Sequence, residues 1–90
     1  MYVFRWNAWN VEHVRQHGVT PDEAEHVLDH ARVPYPQRLG SGKYLAVGQT
    51  AAGAYLQVVY VFDPPDAVFV IHARPLTDPE KRRFRRRTRP

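Results

Sequence analysis

Two side chains capable of chemistry stand two residues apart near the end of the chain, His72 and Arg74. Side chains alternate across a strand with a period of two, so both would share one face if this stretch is extended. An imidazole can exchange a proton near neutral pH, and a guanidinium stays charged and can grip two phosphate oxygens. The pair is thus a candidate site for binding and acting on a phosphate. Two alternatives stay open: His72 as an ordinary polar surface residue, and Arg74 as an ion-pair partner of Glu80.

Other polar residues offer weaker signals. Lys43, at the start of an apolar run, could meet a phosphate or simply end a strand in solvent. Two histidine pairs have a spacing of four, His13 with His17 and His26 with His30. That spacing turns both rings of a pair to one side of a helix, but no cysteine or carboxylate pattern completes a four-ligand metal site. We therefore expect no metal and no cofactor.

The basic residues are concentrated at the end of the chain. Seven of the 13 lie in the last ten positions, namely Lys81, Arg82, Arg83, Arg85, Arg86, Arg87 and Arg89. Residues 1–80 carry 6 basic and 9 acidic groups, a net charge of −3. A block of like charges repels itself unless something anionic lies against it. RNA contacting Arg82, Arg83, Arg85 and Arg86 is one candidate, an acidic protein segment is another, and a solvated, frayed tail is the third.

Composition sets the class of protein. Ninety residues, 43% of them apolar, suffice for one globular domain spanning 1–90 with a small core. There is no cysteine, which fits a cytoplasmic protein. No apolar run reaches the length needed to cross a bilayer, and the first residues lack a signal-peptide pattern.

Turn and cap signals give the order of elements. Three runs rich in Val, Tyr, Phe and Ile within 43–75 predict an antiparallel meander. Capping boxes beginning at Thr20 and Thr77, and an N-cap at Asn7, predict three helices. The first would run to about His17, before Gly18 in the left-handed conformation. Residues 33–42 look like a loop, with at most a brief extended piece at its start.

The result is an α+β fold: strand, helix, helix, three strands, helix. It has a four-stranded, mainly antiparallel sheet, two helices in the N-terminal half and a basic C-terminal helix. One set of residues is expected to contribute to the core: Val14, Leu28, Val47 or Leu45, Val58 and Ile71. Aromatic residues that could stack on RNA bases, Tyr55, Tyr60 and Phe69, are also expected in the core, since their strands are so apolar.

That order, and many of its landmarks, resemble the BrnT family of bacterial toxins, which have a RelE-like fold. In the first half the matching residues are Phe4, Trp6, Asn7, Asn10, His13, His17–Pro21 and Glu23–Glu25. In the second half they are Tyr44–Thr50, Gly53, Leu56–Tyr60, Ile71–Pro75, Thr77, Glu80 and Arg82. The chain departs from the family at three positions and in one short stretch. His72 stands where the family usually has Ser or Thr, Phe69 where it often has Arg or another polar residue, and Phe84 where it commonly has Tyr. Phe62-Asp63-Pro64 stands where the family often has a basic or acidic polar stretch.

The resemblance implies a ribonuclease toxin of a type II toxin–antitoxin system. Such a protein would cleave RNA without metal and stop translation and growth until a cognate antitoxin, a ribbon-helix-helix protein similar to BrnA, neutralises it. Oligomers would form mainly through the antitoxin, and no membrane would be involved. We therefore assign Arg74, His72, Glu80 and Lys43 as candidate catalytic residues. The alternative is a non-catalytic module that binds a partner protein or nucleic acid through the basic helix.

Overall fold

A computed structural model describes residues 2–88 of the chain, and over this range it contains five strands and three helices. In chain order the elements are β1 (Val3–Arg5), α1 (Ala8–Arg15), α2 (Pro21–Asp29), β2 (Gln37–Gly40), β3 (Lys43–Gln49), β4 (Tyr55–Asp63), β5 (Ala67–Pro75) and α3 (Asp78–Arg87). The α+β class predicted from the sequence is confirmed.

The strands form one mixed sheet in the order β1-β5-β4-β3-β2. The short β1 runs parallel to β5, and the other neighbours are antiparallel. The sheet therefore has five strands instead of the predicted four. The additional strand, β2, lies in the segment that the sequence presented as a loop.

β2 escaped prediction because its sequence lacks strand character. Gln-Arg-Leu-Gly contains no β-branched or aromatic residue and follows a proline. It is an edge strand whose residues Arg38–Gly40 are exposed, so no apolar face marks it. Its pairing with β3 comes from a tight turn in which Gly40, Ser41 and Gly42 all have positive φ. Backbone pairing, not side-chain burial, makes this strand.

The helices begin where their caps predict. The side chains of Asn7, Thr20 and Thr77 each accept a hydrogen bond from the backbone N–H three residues later. In return, the side chain of that later residue accepts from the backbone N–H of the cap residue. α1 ends at Arg15, slightly before the predicted limit, and Gly18 has a φ of 75°. A polar cap supplies acceptors for N–H groups that have no partner within the helix, so all three helix starts are encoded locally.

Helices α1 and α2 cover one face of the sheet, which we name the inner face. The buried residues packed there are Val14, Val19, Ala24, Val27, Leu28, Ala46, Leu56, Val58, Tyr60, Val68, Val70 and Ala73. Val58 and Val14 are fully buried, as predicted, and burying one such side chain contributes roughly 1.5–3 kcal/mol. Tyr60, also predicted to be in the core, is 1% exposed.

The opposite, outer face is only partly covered. At one end, Val47 packs with Tyr35 and Leu76, and Phe84 of α3 lies against this small cluster. Further along the strands, Leu45 and Val59 are half-buried. α3 thus covers one end of the outer face, and the strand residues beyond it remain accessible.

No helix within residues 2–88 is long and apolar enough to cross a membrane.

Candidate functional site

A β-bulge decides which way His72 and Arg74 point. Val59 is in register with His72, but the next residue of β4, Tyr60, is in register with Val70, so Ile71 is an extra residue on β5. Alternation counted from Val70 without this bulge would turn His72 towards the inner face. With it, His72 lies on the outer face beside Val59, and Arg74 lies on the same face beside Gln57.

The bulge also corrects two sequence-based expectations. Ile71 was predicted to contribute to the core, but it is only partly buried, and Val70 is the fully buried residue. Phe69 was expected in the core as well, yet it lies partly exposed in the outer-face row with Val61. Ile71 was assigned to the core by a period of two, which the bulge interrupts. Phe69 was assigned to the core because its strand is apolar, and that character does not tell which face a side chain occupies.

Helix α1 is fixed beside β5 by a buried asparagine. Asn10 is fully buried, donates from Nδ2 to the carbonyl oxygen of Arg5 at 3.0 Å and accepts from the backbone N–H of Asn7 at 2.7 Å. Arg5 belongs to β1, which pairs with β5. These bonds set the start of α1 relative to β5, and they bring the side chains at Trp9 and every fourth residue after it next to that strand.

The side chains so placed form a histidine cluster, which we define as His13, His17 and His72. The rings of His17 and His72 meet edge to face, with centroids 5.1 Å apart. Burial lowers the pKa of His72, and the nearby His17, Arg74 and His13 lower it further because each disfavours a second positive charge. The lowered pKa favours the neutral imidazole of His72, which is the form that can accept a proton.

His13 has a defined tautomer. Its Nδ1 lies 2.7 Å from the carbonyl oxygen of Trp9. A carbonyl oxygen only accepts hydrogen bonds, so Nδ1 must carry the proton, and the lone pair of the neutral ring is on Nε2. The same ring stacks on the indole of Trp9 with centroids 3.8 Å apart. Both contacts hold His13 in one orientation.

Arg74 forms a two-pronged ion pair with Glu80. Nη1 donates to Oε1 at 2.9 Å and Nη2 to Oε2 at 2.7 Å, and Nη1 also donates to the carbonyl oxygen of Pro75 at 3.0 Å. The two side chains are 30% and 26% exposed. The pair joins the end of β5 to the first turn of α3, as the structural alternative in the sequence analysis anticipated.

Glu80 is fully engaged by these contacts. Its Oε1 also accepts the backbone N–H of Thr77 at 2.8 Å, which closes the capping box of α3. The hydrogen bond from Arg74, followed by the one from the Thr77 backbone, lowers the pKa of Glu80 to about 2. At neutral pH this carboxylate has no proton to give, and in this arrangement it holds Arg74.

Lys43 lies far from the other predicted catalytic residues. Arg74 is in register with Gln57, and Gln57 with Val47. Lys43 precedes Val47 by four residues on β3, which is about 14 Å along the strand at about 3.4 Å per residue. The structure brings His72, Arg74 and Glu80 together and leaves Lys43 exposed at the opposite end of the sheet.

The cationic tail is a helix through Arg87. The four predicted RNA-binding residues, Arg82, Arg83, Arg85 and Arg86, are all exposed. Arg85 donates from Nε to the hydroxyl of Tyr55 at 3.3 Å and lies over that ring, 5.4 Å from its centroid. α3 therefore presents positive charge beside the end of the outer face that carries Arg74. Arg89, counted with the tail in the sequence, lies outside the described residues.

Within residues 2–88 no group of three or more His, Asp or Glu side chains is arranged so that it could hold a metal ion.

Three residues of this region were not assigned as site residues from sequence: Trp9, His13 and His17. The spacing of four between His13 and His17 did indicate a common helix side, but nothing local tells which strand that side meets. A cluster could have been suggested by the spacing of four between His13 and His17, taken together with a third histidine, His72, on a predicted strand. The contact itself depends on the bulge and on Asn10.

Comparison with known proteins adds no assignment, because no protein-family model and no curated protein matches the chain. The resemblance to the BrnT family therefore stays a prediction that rests on the quoted residues.

Proposed function

We propose that this protein is a metal-independent endoribonuclease that cleaves RNA at the histidine cluster. The observation that carries the proposal is the position of His72 on an accessible sheet face, in contact with His17 and two residues from Arg74. Burial lowers the pKa of His72, which favours the form that can accept a proton. Cleavage of RNA without metal needs a proton acceptor, a proton donor and a cation, and this set of side chains supplies all three.

In the proposed reaction His72 takes the proton of a ribose 2′-hydroxyl. The 2′-oxygen then attacks the adjacent phosphorus, and the bond from phosphorus to the 5′-oxygen breaks. A protonated imidazole, which we assign to His17 because its ring touches that of His72, gives its proton to the leaving 5′-oxygen. The products are a 2′,3′-cyclic phosphate and a free 5′-hydroxyl, and the two imidazoles exchange protonation states.

Arg74 is assigned to the charge that gathers on the phosphorane. A fixed guanidinium loses little freedom when it binds a phosphate, and the ion pair with Glu80 fixes it. The exposed arginines of α3 provide the general attraction to the RNA backbone, which falls as salt rises.

A second candidate function is favoured by one specific observation. Glu80 neutralises Arg74 and occupies two of its N–H groups, as expected for a purely structural ion pair. The chain would then be a non-catalytic module that binds RNA or a partner protein through α3, without cleavage.

The partner proposal follows the resemblance to the BrnT family. A cognate antitoxin with an acidic segment would neutralise this protein by covering α3 and the adjoining outer face. A cleft of about 100 Å³ between α3 and the sheet supports it, since its lining combines the apolar side chains of Tyr35, Leu45 and Phe84 with Arg83 and Arg87. Glu80 also lines the cleft, but its charge is paired with Arg74. Such a lining suits an acidic segment that carries an apolar side chain.

The test is incubation of purified protein with RNA in the presence of a strong chelator. We expect fragments that end in 2′,3′-cyclic phosphate, and no cleavage of an oligonucleotide with 2′-deoxy sugars throughout. Addition of the protein encoded by the neighbouring gene should stop the cleavage. Intact RNA, with retained binding to α3, would reject the nuclease and support the binding module.

A further inference from the structure

We propose that Trp9 is a stacking site for one unpaired base of a single-stranded RNA. The inference rests on the proposed function insofar as RNA is the ligand, and it adds a subsite that the assignment of His72 and Arg74 does not contain. It would make the protein selective for single-stranded over double-stranded RNA, because a base inside a duplex cannot reach the indole.

The first observation is that Trp9 is held in place and yet accessible. It stacks on His13, with centroids 3.8 Å apart, and on Phe69, with centroids 5.9 Å apart. Despite both contacts it is 50% exposed. A tryptophan that buries 150–250 Å² when fully covered thus leaves on the order of 100 Å² open.

The other tryptophan shows what a packing role looks like in this chain. Trp6 is partly buried, and its Nε1 donates to Glu25 at 2.7 Å, which links the start of α1 to α2. Trp9 instead stacks on His13 and Phe69 and stays half exposed. Its two stacking partners restrict its rotamers before any ligand binds, so little side-chain entropy of Trp9 is lost when a base stacks on it.

The second observation is position. Phe69 and His72 lie on the outer face, in register with Val61 and Val59 of β4. Those two residues are about 7 Å apart at about 3.4 Å per residue, a distance short enough to be spanned by neighbouring nucleotides of one single strand. A base on Trp9 therefore belongs to a nucleotide one or two positions from the phosphate at His72.

The third observation is the surrounding charge. Arg5 is in register with Phe69, although its guanidinium is paired with Asp63 at 2.6 Å. The dense group of cations that attracts RNA lies on α3, at the other end of β5, whereas the row of Phe69 contains one exposed lysine, Lys43, two strands away on β3. Binding at Trp9 should consequently be a stacking contribution that hardly depends on salt, in contrast to the contribution of α3.

The experiment uses a short, uncleavable 2′-O-methyl oligonucleotide and the full chain. In the variant Trp6→Phe, Trp9 is the single indole, and its fluorescence should be quenched on titration. Trp9→Ala should raise the dissociation constant by about 5- to 150-fold, the range that corresponds to loss of one base–aromatic stack. The salt dependence should keep its slope. Leu39→Ala, at a side chain that is 51% exposed on the edge strand β2, is the matched control and should leave binding unchanged.

Three results would overturn the inference: unchanged affinity of folded Trp9→Ala, quenching that is equal for an oligonucleotide lacking its bases, or a fall in affinity that disappears at high salt. Unchanged affinity in a protein that does cleave RNA rejects the stacking site alone. Base-dependent quenching in a protein that does not cleave RNA supports the site and rejects the nuclease. Absence of any RNA binding rejects both.

Discussion

Replacement of His72 by asparagine is the most direct test of the proposed chemistry. Asparagine keeps a polar side chain on the outer face but cannot take a proton. His72 accepts the 2′-hydroxyl proton in the proposed reaction, and general acid–base catalysis by one side chain contributes about 10²- to 10⁴-fold. We expect kcat/KM for a fluorogenic RNA substrate to fall within that range.

The pH profile carries more information than the rate at one pH. Burial and the neighbours His17, Arg74 and His13 lower the pKa of His72 from its usual 6.5. The parent should therefore lose activity as pH falls below 6.5 through the lowered pKa, and His72→Asn should lack this acidic limb.

The lowered pKa of His72 should also appear in the pH dependence of the protein's stability, measured without RNA. The folded state binds the His72 proton less tightly than the unfolded state, so the unfolding free energy falls as pH drops from about 6.5. This decrease ends once pH is below the lowered pKa of the folded state. His72→Asn should flatten the dependence of Tm on pH within that window.

The matched control is His30→Asn, which removes an exposed histidine from the C-terminal cap of α2. It should preserve both the rate and the acidic limb. A folded His72→Asn protein that cleaves at the parent rate, or that retains the acidic limb, would refute the role of His72 as a base.

Two further predictions concern the elements around this site. Arg74→Ala should lower the cleavage rate by on the order of 10²-fold, the scale for loss of one transition-state donor. Arg86→Ala should mainly weaken RNA binding and reduce the slope of log affinity against log salt concentration by about 1. Equal effects of the two changes on the rate at saturating RNA would contradict these separate roles. Thr77→Ala removes the cap that accepts from the Glu80 N–H and should cost about 1 kcal/mol, or a Tm decrease of about 4–8 °C in a domain of this size. Thr77→Ser, measured by the same thermal melt, should retain most of the stability, and an unchanged Tm for Thr77→Ala would show that the cap is dispensable.

The sequence predicted the elements that local chemistry encodes. Asn7, Thr20 and Thr77 mark helix starts because a side-chain oxygen must meet the first free N–H groups. The apolar runs of β3, β4 and β5 mark strands because their side chains are buried. β2 was missed because backbone hydrogen bonds to β3 hold it in the sheet, while its side chains are mostly exposed and leave no apolar pattern in the sequence.

The site could be predicted only in part, because its assembly depends on register. His72 and Arg74 were paired correctly by alternation, but the inserted Ile71 that turns them outward has no sequence signature. The approach of His17 to His72 depends on the bulge and on how Asn10 anchors α1. Such contacts between distant segments are set by packing, which a pattern along one strand does not record.

The two interpretations of Arg74 that the sequence left open are compatible once its donors are counted. A guanidinium has five N–H groups, and Glu80 and Pro75 accept from the two Nη atoms in three hydrogen bonds. Among residues 2–88 nothing accepts a hydrogen bond from Nε or from the remaining hydrogen of Nη2, so both can donate to a phosphate oxygen. The charge of Glu80 weakens the attraction of Arg74 for RNA at a distance, so α3 must supply that attraction. At hydrogen-bond distance the effect of Glu80 is different. A guanidinium already held at both Nη atoms can direct its remaining donors at the phosphorane without reorganising. Donors fixed in this way can stabilise a transition state more than the bound substrate.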